Sequence, residues 1–226
     1  MSDTHTVDAA HQPGLAHHFD DMAQQKEAGT IGMWAFLVTE IMFFGGLFLA
    51  YTLFRAKYAA SFAAASSHLN WKLGAANTIV LIVSSLTMAM SVYYAQTSNK
   101  RKLILMLVLT MIFGATFLMV KGFEYYDKFE HSLIPGFKFH WEGAGDPRHV
   151  ELFYFIYFAM TMIHALHMVI GLGIMAVILR MAKKDRFSSA YYAPVEISGL
   201  YWHFVDIVWI FLFPLLYLIG AHEGLH

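Results

Sequence analysis

Apolar residues fall into five long, nearly uninterrupted runs, over 31–54, 73–95, 103–121, 150–179 and 196–221. In none of them do apolar and polar residues alternate, so each predicts an α-helix rather than a barrel strand. Each is also close to or above the roughly 20 residues that a helix needs to cross a bilayer core of about 30 Å. The fourth run is long for a perpendicular span and should tilt or project from the membrane. Pro214, which has no amide hydrogen to donate, should kink the fifth near its end. The pattern therefore predicts an all-α integral membrane protein, a single five-helix bundle over 31–226 with no internal repeat and no second soluble domain.

Ahead of these runs, residues 1–30 hold Asp3, Asp8, Asp20, Asp21 and Glu27, with Lys26 as the only Lys or Arg. A secretory signal would place basic residues before an apolar stretch. The segment instead reads as a soluble tail, helical near 16–25, that stays in the mature protein.

Lys and Arg orient the bundle. Lys100, Arg101 and Lys102 fill the second loop, and Arg180, Lys183, Lys184 and Arg186 fill the fourth. Both loops lie on one side, which should be the cytoplasm. The third loop, 122–149, mixes basic residues with Glu124, Asp127, Glu130, Glu142 and Asp146, and belongs outside. The N-terminus is then cytoplasmic and the C-terminus outside. Tyr93, Tyr94, Tyr125, Tyr126, Tyr191, Tyr192, Tyr201 and Trp202 cluster near the expected interfaces, as amphipathic rings do. Gly45, Gly46, Gly171 and Gly173 would let helices approach closely.

Composition agrees with this class. The chain is 58% hydrophobic and 14% charged, against about 25% charged in soluble domains. A net charge of −1 offers no argument for nucleic acid as a partner. The absence of Cys excludes disulfides, thiolate metal sites and cysteine nucleophiles. Of 13 His residues, three (His164, His167 and His203) fall within apolar runs.

Polar residues inside the runs carry the candidate chemistry. Glu40 is the carboxylate of the first run. A charge at the centre of a spanning helix costs roughly 2.5–3.5 kcal/mol on insertion scales, so Glu40 should face protein or water. It serves either as a hydrogen-bond partner for a neighbouring helix or as a functional acid. His164 and His167, three residues apart, share a helical face and suit either proton relay or interhelical hydrogen bonding. Metal or haem ligation would need further ligands at the same depth, and the one remaining intramembrane imidazole, His203, lies early in the fifth run. No metal site is expected. His203 and Asp206 can pair with each other on one face. Glu196 and Trp202 flank them, as an interfacial anchor or as a polar face toward another subunit or a phospholipid headgroup. Arg180 and Lys183 lie at the same level, where basic groups attract lipid phosphate. No nucleotide loop, G-x-S-x-G elbow or H-E-x-x-H motif occurs, and no catalytic constellation assembles in this chain.

Four stretches, taken together, resemble subunit III of haem-copper terminal oxidases. They are Gly32-Met-Trp-Ala-Phe-Leu-Val-Thr-Glu40-Ile-Met-Phe-Phe-Gly-Gly46; Asn77-Thr78 opening an apolar, Ser-rich helix; His164-Ala-Leu-His167-Met-Val-Ile-Gly171; and Tyr201-Trp-His-Phe-Val-Asp206-Ile-Val-Trp209. Lys121-Gly-Phe-Glu124-Tyr125 adds weaker support. The resemblance runs in order from Gly32 onward. It implies a non-catalytic subunit of a complex that reduces dioxygen to water and pumps protons. Haems and copper would belong to partner subunits. This chain would pack on subunit I, sit with subunit II and a small subunit IV, bind phospholipid and support proton uptake. It would reside in a bacterial cytoplasmic (inner) membrane. By the same resemblance Glu40 matches the family's carbodiimide-reactive carboxylate, and Asn77, Glu124, His164, His167, His203 and Asp206 are expected to make interhelical polar contacts. Longer members have seven helices and this chain matches the last five, so the wall of the family's lipid cleft must come from another subunit or be open. Five-helix versions serve cytochrome c oxidases and quinol oxidases, and a related protein accompanies nitric oxide reductases.

Overall fold

The computed structural model describes residues 19–136, 139–189 and 191–220. Six helices follow one another: α1 (Met22–Lys57), α2 (Ala59–Ser67), α3 (Trp71–Gln96), α4 (Lys100–Glu130), α5 (Pro147–Lys183) and α6 (Ala193–Tyr217). Five of these, all but α2, are long and apolar enough to cross a membrane. No β-strand forms among the described residues; a single bridge joins Ser188 and Tyr191. The all-α, five-span expectation therefore describes the protein, and it is a multi-pass membrane protein.

The helices extend beyond their apolar runs because polar residues close their ends. Asp21 accepts from the Gln24 amide at 2.7 Å and starts α1 at Met22, within the segment read as a tail. Asn70 and Asn99 cap α3 and α4 in the same way. Asp146 accepts from the Arg148 amide ahead of α5, with Pro147 at the first helical position, where its missing N–H has no partner to lose. α5 has 37 residues, about 55 Å at 1.5 Å per residue, which exceeds the hydrocarbon thickness. The part of the expected tail before Phe19 lies outside the described residues.

α6 is the hub. It packs against α1, α3 and α5, while α4 closes the ring between α3 and α5. Its buried aromatics, Tyr201, Trp202, Phe204, Trp209 and Tyr217, form the spine of the core. α1 stands outside this four-helix group, against α5 and α6. It buries Leu37, Phe44 and Tyr51, which are spaced seven apart, so a single seam holds it.

α2, which has no counterpart in the apolar runs, covers the end of the bundle opposite the two basic loops. Its buried Phe62 packs edge-on to Phe153 of α5, and Ser61 accepts from the Asp146 amide. Ser66 donates to the Leu216 carbonyl at 2.7 Å and accepts from the Gly220 amide at 3.1 Å. Tyr51 donates to the Leu215 carbonyl. The last carbonyls of a helix have no intrahelical donor, so Tyr51 and Ser66 close the end of α6. That helix continues through Pro214 to Tyr217.

At the basic end the second and fourth loops interlock. Lys100 reaches Asp185 at 2.6 Å, and the Ser189 amide donates to the Ser98 hydroxyl at 2.8 Å.

Candidate functional site

Glu40 meets His167 across the α1–α5 interface, with Oε2 3.1 Å from Nε2. The other imidazole nitrogen, Nδ1, lies 2.9 Å from the Ile163 carbonyl oxygen, which can only accept. Nδ1 therefore carries a hydrogen. The Nε2–Oε2 contact then holds one further proton, either as a carboxylic acid donating to the imidazole or as an imidazolium donating to the carboxylate. Phe44 packs edge-on to the His167 ring at 5.4 Å, and the Tyr201 hydroxyl donates to the His167 carbonyl at 3.0 Å. Both side chains are largely but not wholly enclosed.

His164 does not join His167. It points into the core, fully buried, between the rings of Phe117 and Trp209 at 5.5 and 5.3 Å. Neither of its nitrogens has a hydrogen-bond partner, unlike the interhelical contact anticipated for it. A shared helical face spans two interfaces here, and one turn separates α1 from the interior. Asn77 is buried, with its amide 3.4 Å from the Phe117 carbonyl, a long contact, and its Oδ1 unpaired. Among the described residues no three His, Asp or Glu side chains lie close enough together to hold a metal ion.

Trp202 is not an interfacial anchor. Its indole is fully enclosed and donates to Ser84 on α3 at 3.1 Å. A Cβ at Gly114 or Gly171 would fall 2.7 or 2.8 Å from its ring, so these two glycines form the slot that admits it. An apolar ring with one polar atom suits a helix junction as well as a headgroup layer, and the slot decides between them here.

His203 and Asp206 do not pair either. His203 Nδ1 bonds Ser85 on α3 at 2.7 Å, while neither carboxyl oxygen of the buried Asp206 has a partner. Ser85 is the fifteenth of 26 residues in α3, so this polar group sits near the middle of the span rather than at an interface.

The densest polar cluster is one that the apolar pattern concealed. Lys121 and Glu124, both about 95% buried by side chain, form an ion pair at 3.0 Å. Tyr157 and Tyr217 donate to Glu124 at 2.8 and 2.5 Å, and Lys121 donates to the Tyr217 hydroxyl at 2.6 Å. The ammonium also lies 5.1 Å from the Trp209 ring centroid and 5.2 Å from those of Tyr157 and Tyr217. Three helices, α4, α5 and α6, thus converge on one charge pair. The apolar run ends at Lys121, although the helix continues to Glu130; the three-residue spacing of Lys121 and Glu124 was the available signal.

At the basic end, Lys26 joins the start of α1 to α6 through Glu196 at 3.3 Å and the Tyr192 hydroxyl at 3.1 Å. Arg180 and Lys183 are exposed in the last turns of α5.

Comparison with known proteins gives these features a common context. The family described as "Cytochrome c oxidase subunit III" matches residues 145–221. A probable cytochrome c oxidase subunit 3 of Nocardia farcinica is 32% identical over 190 residues, covering 84% of this chain and 87% of that one. A cytochrome bo(3) ubiquinol oxidase subunit 3 of Pseudomonas putida is 30% identical, covering 84% and 86%. A probable quinol oxidase subunit 3 of Staphylococcus haemolyticus is 29% identical, covering 89% and 94%. With 32% identity spanning most of both chains, the chain belongs to the subunit III family of haem-copper oxidases, the family of cytochrome c oxidase subunit III.

Proposed function

We propose that this chain is the non-catalytic subunit III of a proton-pumping oxidase that reduces dioxygen to water with electrons from cytochrome c. It packs on subunit I, alongside subunit II and a small subunit IV, in a bacterial cytoplasmic membrane with its N-terminus inside. The observation that carries this reading is the similarity to a cytochrome c oxidase subunit 3 over 84% of the chain. The quinol oxidase relatives, at nearly the same identity, favour quinol as the alternative donor.

Within the complex the chain supports proton uptake and durable turnover. The Glu40–His167 contact favours this role, because it stores one proton at membrane depth between two helices. Phospholipid binding draws support from an apolar cleft of about 420 Å³ between α1 and α6, lined by Trp34, Ile41, Gly45, Phe48, Ile207 and Phe211. The exposure of Arg180 and Lys183 at the end of α5 favours contact with headgroup phosphate, and Glu196 is engaged by Lys26.

Purification through a tag on this chain tests the reading. The expected product carries haem bands and oxygen reduction, with a subunit II bearing a copper-pair motif if cytochrome c is the donor. A copurifying subunit II without that motif identifies a quinol oxidase. Deleting the chain should leave initial oxygen reduction in place and shorten its persistence during turnover. Unchanged long-term activity in the deletion complex would refute the supporting role. A stoichiometric Soret band in the isolated chain would refute the non-catalytic assignment.

A further inference from the structure

Asp206 is 3% exposed, and neither of its carboxyl oxygens has a hydrogen-bond partner. It lines a groove of about 270 Å³ between α3 and α6, together with Ser85 and His203. Asp206 is the fourteenth of 25 residues in α6, which puts it about 20 Å from the start of that helix. At this depth hydrocarbon offers no donors, and an unsatisfied polar group costs several kcal/mol.

The groove itself offers Asp206 at most one donor, the Ser85 hydroxyl. Ser85 has one hydroxyl hydrogen and lies 2.7 Å from His203 Nδ1. If Ser85 donates to that nitrogen, its hydrogen is spent. If it accepts from Nδ1–H, its single hydrogen can turn toward Asp206, and the second carboxyl oxygen still has no donor. Either protonation state of Asp206 leaves acceptor positions empty.

The rim of the groove has the character of a helix-packing face. Ile82 and Leu86 on α3, and Ile207 and Ile210 on α6, are all 45–62% exposed and line the groove around the polar group. A small residue, Ala89, leaves room beside them. An acyl chain would cover such a rim and leave Asp206 unsatisfied, since it carries no donor.

We propose that the α3–α6 groove is the docking site for a transmembrane helix of a partner subunit, and that this helix presents a hydrogen-bond-donating side chain to Asp206. The proposal rests on the reading of the chain as a subunit of an oxidase complex, and it names the face of the bundle and the chemistry of the contact. The donor is a hydroxyl, amide, indole or cationic side chain carried on an otherwise apolar helix.

The test is photo-crosslinking in membranes. A benzophenone-bearing residue replaces Leu86 or Ile210 in the full chain, and the complex is then purified through its tag. The expected adduct joins this chain to a transmembrane segment of a copurifying oxidase subunit, with a donor side chain within one helical turn of the attachment point. Asp206→Leu should lower the adduct yield roughly tenfold, while Asp206→Asn, which still accepts a hydrogen bond, should retain most of it. If Asp206→Leu fails to accumulate, the adduct map in the chain with Asp206 intact still decides the matter. Adducts to lipid alone, no adduct, or an attachment segment without a donor would overturn the proposal while the copurified complex upholds the oxidase reading. An adduct that survives Asp206→Leu undiminished would overturn the role of Asp206. Failure of any oxidase to copurify would bring down that reading and this proposal together.

Discussion

His167 is held between two oxygens of different character: its Nδ1 lies 2.9 Å from the Ile163 carbonyl, and its Nε2 lies 3.1 Å from the Glu40 carboxyl group. Because the carbonyl can only accept, the imidazole is oriented and its tautomer set before Glu40 is considered. The pair then shares one proton across a helix interface.

That sharing predicts how Glu40 responds to a hydrophobic carbodiimide, which attacks protonated carboxyl groups in apolar surroundings. The reagent should label Glu40, and His167→Ala should accelerate the labelling several-fold. Removing the imidazole takes away the carboxyl group's hydrogen-bond partner on α5 and leaves it open to the reagent. Mass spectrometry of the labelled chain checks it, with Glu40→Gln as the blank. Labelling unchanged in Glu40→Gln would place the target elsewhere. Glu40→Gln should also reduce initial oxygen consumption only modestly.

The Lys121–Glu124 pair should be intolerant of single replacements. Lys121→Met strands a buried carboxylate among Tyr157 and Tyr217, and a loss of about 3–5 kcal/mol is expected for breaking such a pair. Replacing both, as Lys121→Met with Glu124→Leu, should recover a large part of that loss, since desolvation of two charges is relieved together. Thermal unfolding of the detergent-solubilised protein distinguishes these outcomes; additive losses in the double variant would contradict the coupling.

Glycines in this chain should differ sharply in tolerance. Alanine at Gly114 or Gly171 would push a methyl group to within 2.7 or 2.8 Å of the Trp202 ring, a clash expected to cost about 1–3 kcal/mol. Alanine at Gly45 or Gly46 meets open space and should leave the isolated bundle as stable as before. Melting temperatures of the four variants provide the comparison, and equal losses at all four sites would show that the Trp202 slot is not the constraint.

Tyr51→Phe should weaken the junction of α1 with α6 by about 1 kcal/mol, the worth of one hydrogen bond to a helix-terminal carbonyl. Hydrogen exchange at the amides of the last turn of α6 should quicken in this variant, and unaltered protection there would argue against Tyr51 as its cap.

Continuous apolar runs were enough to read five spans, because a helix in hydrocarbon must be apolar over its length whatever it packs against. Helix ends were less legible. α4 outruns its apolar stretch because Lys121 and Glu124 find partners on α5 and α6 and Lys128 donates to the His68 carbonyl just after α2, and such pairing is invisible along one chain. α2 is built from Ala and Ser with one Phe, too short and too mild to stand out. Among the candidate residues, Glu40 was conspicuous because a lone carboxylate in an apolar run requires a partner. The identity of that partner, His167 rather than His164, depends on helix rotation. Trp202 misled because its usual interfacial role and its buried role share the same residue type, and only Gly114 and Gly171, distant in sequence, separate them.

α1 is fastened to the rest of the chain along one narrow seam by three polar clasps: Lys26 with Glu196 at one end, Glu40 with His167 in the middle and Tyr51 with the Leu215 carbonyl at the other. Such a helix resembles a door held by three latches rather than a wall mortared in place. Chemistry at the middle latch therefore has a mechanical meaning. Modifying Glu40 should unfasten α1 at mid-length and open the cleft it lines with α6, leaving the clasps at its two ends in place.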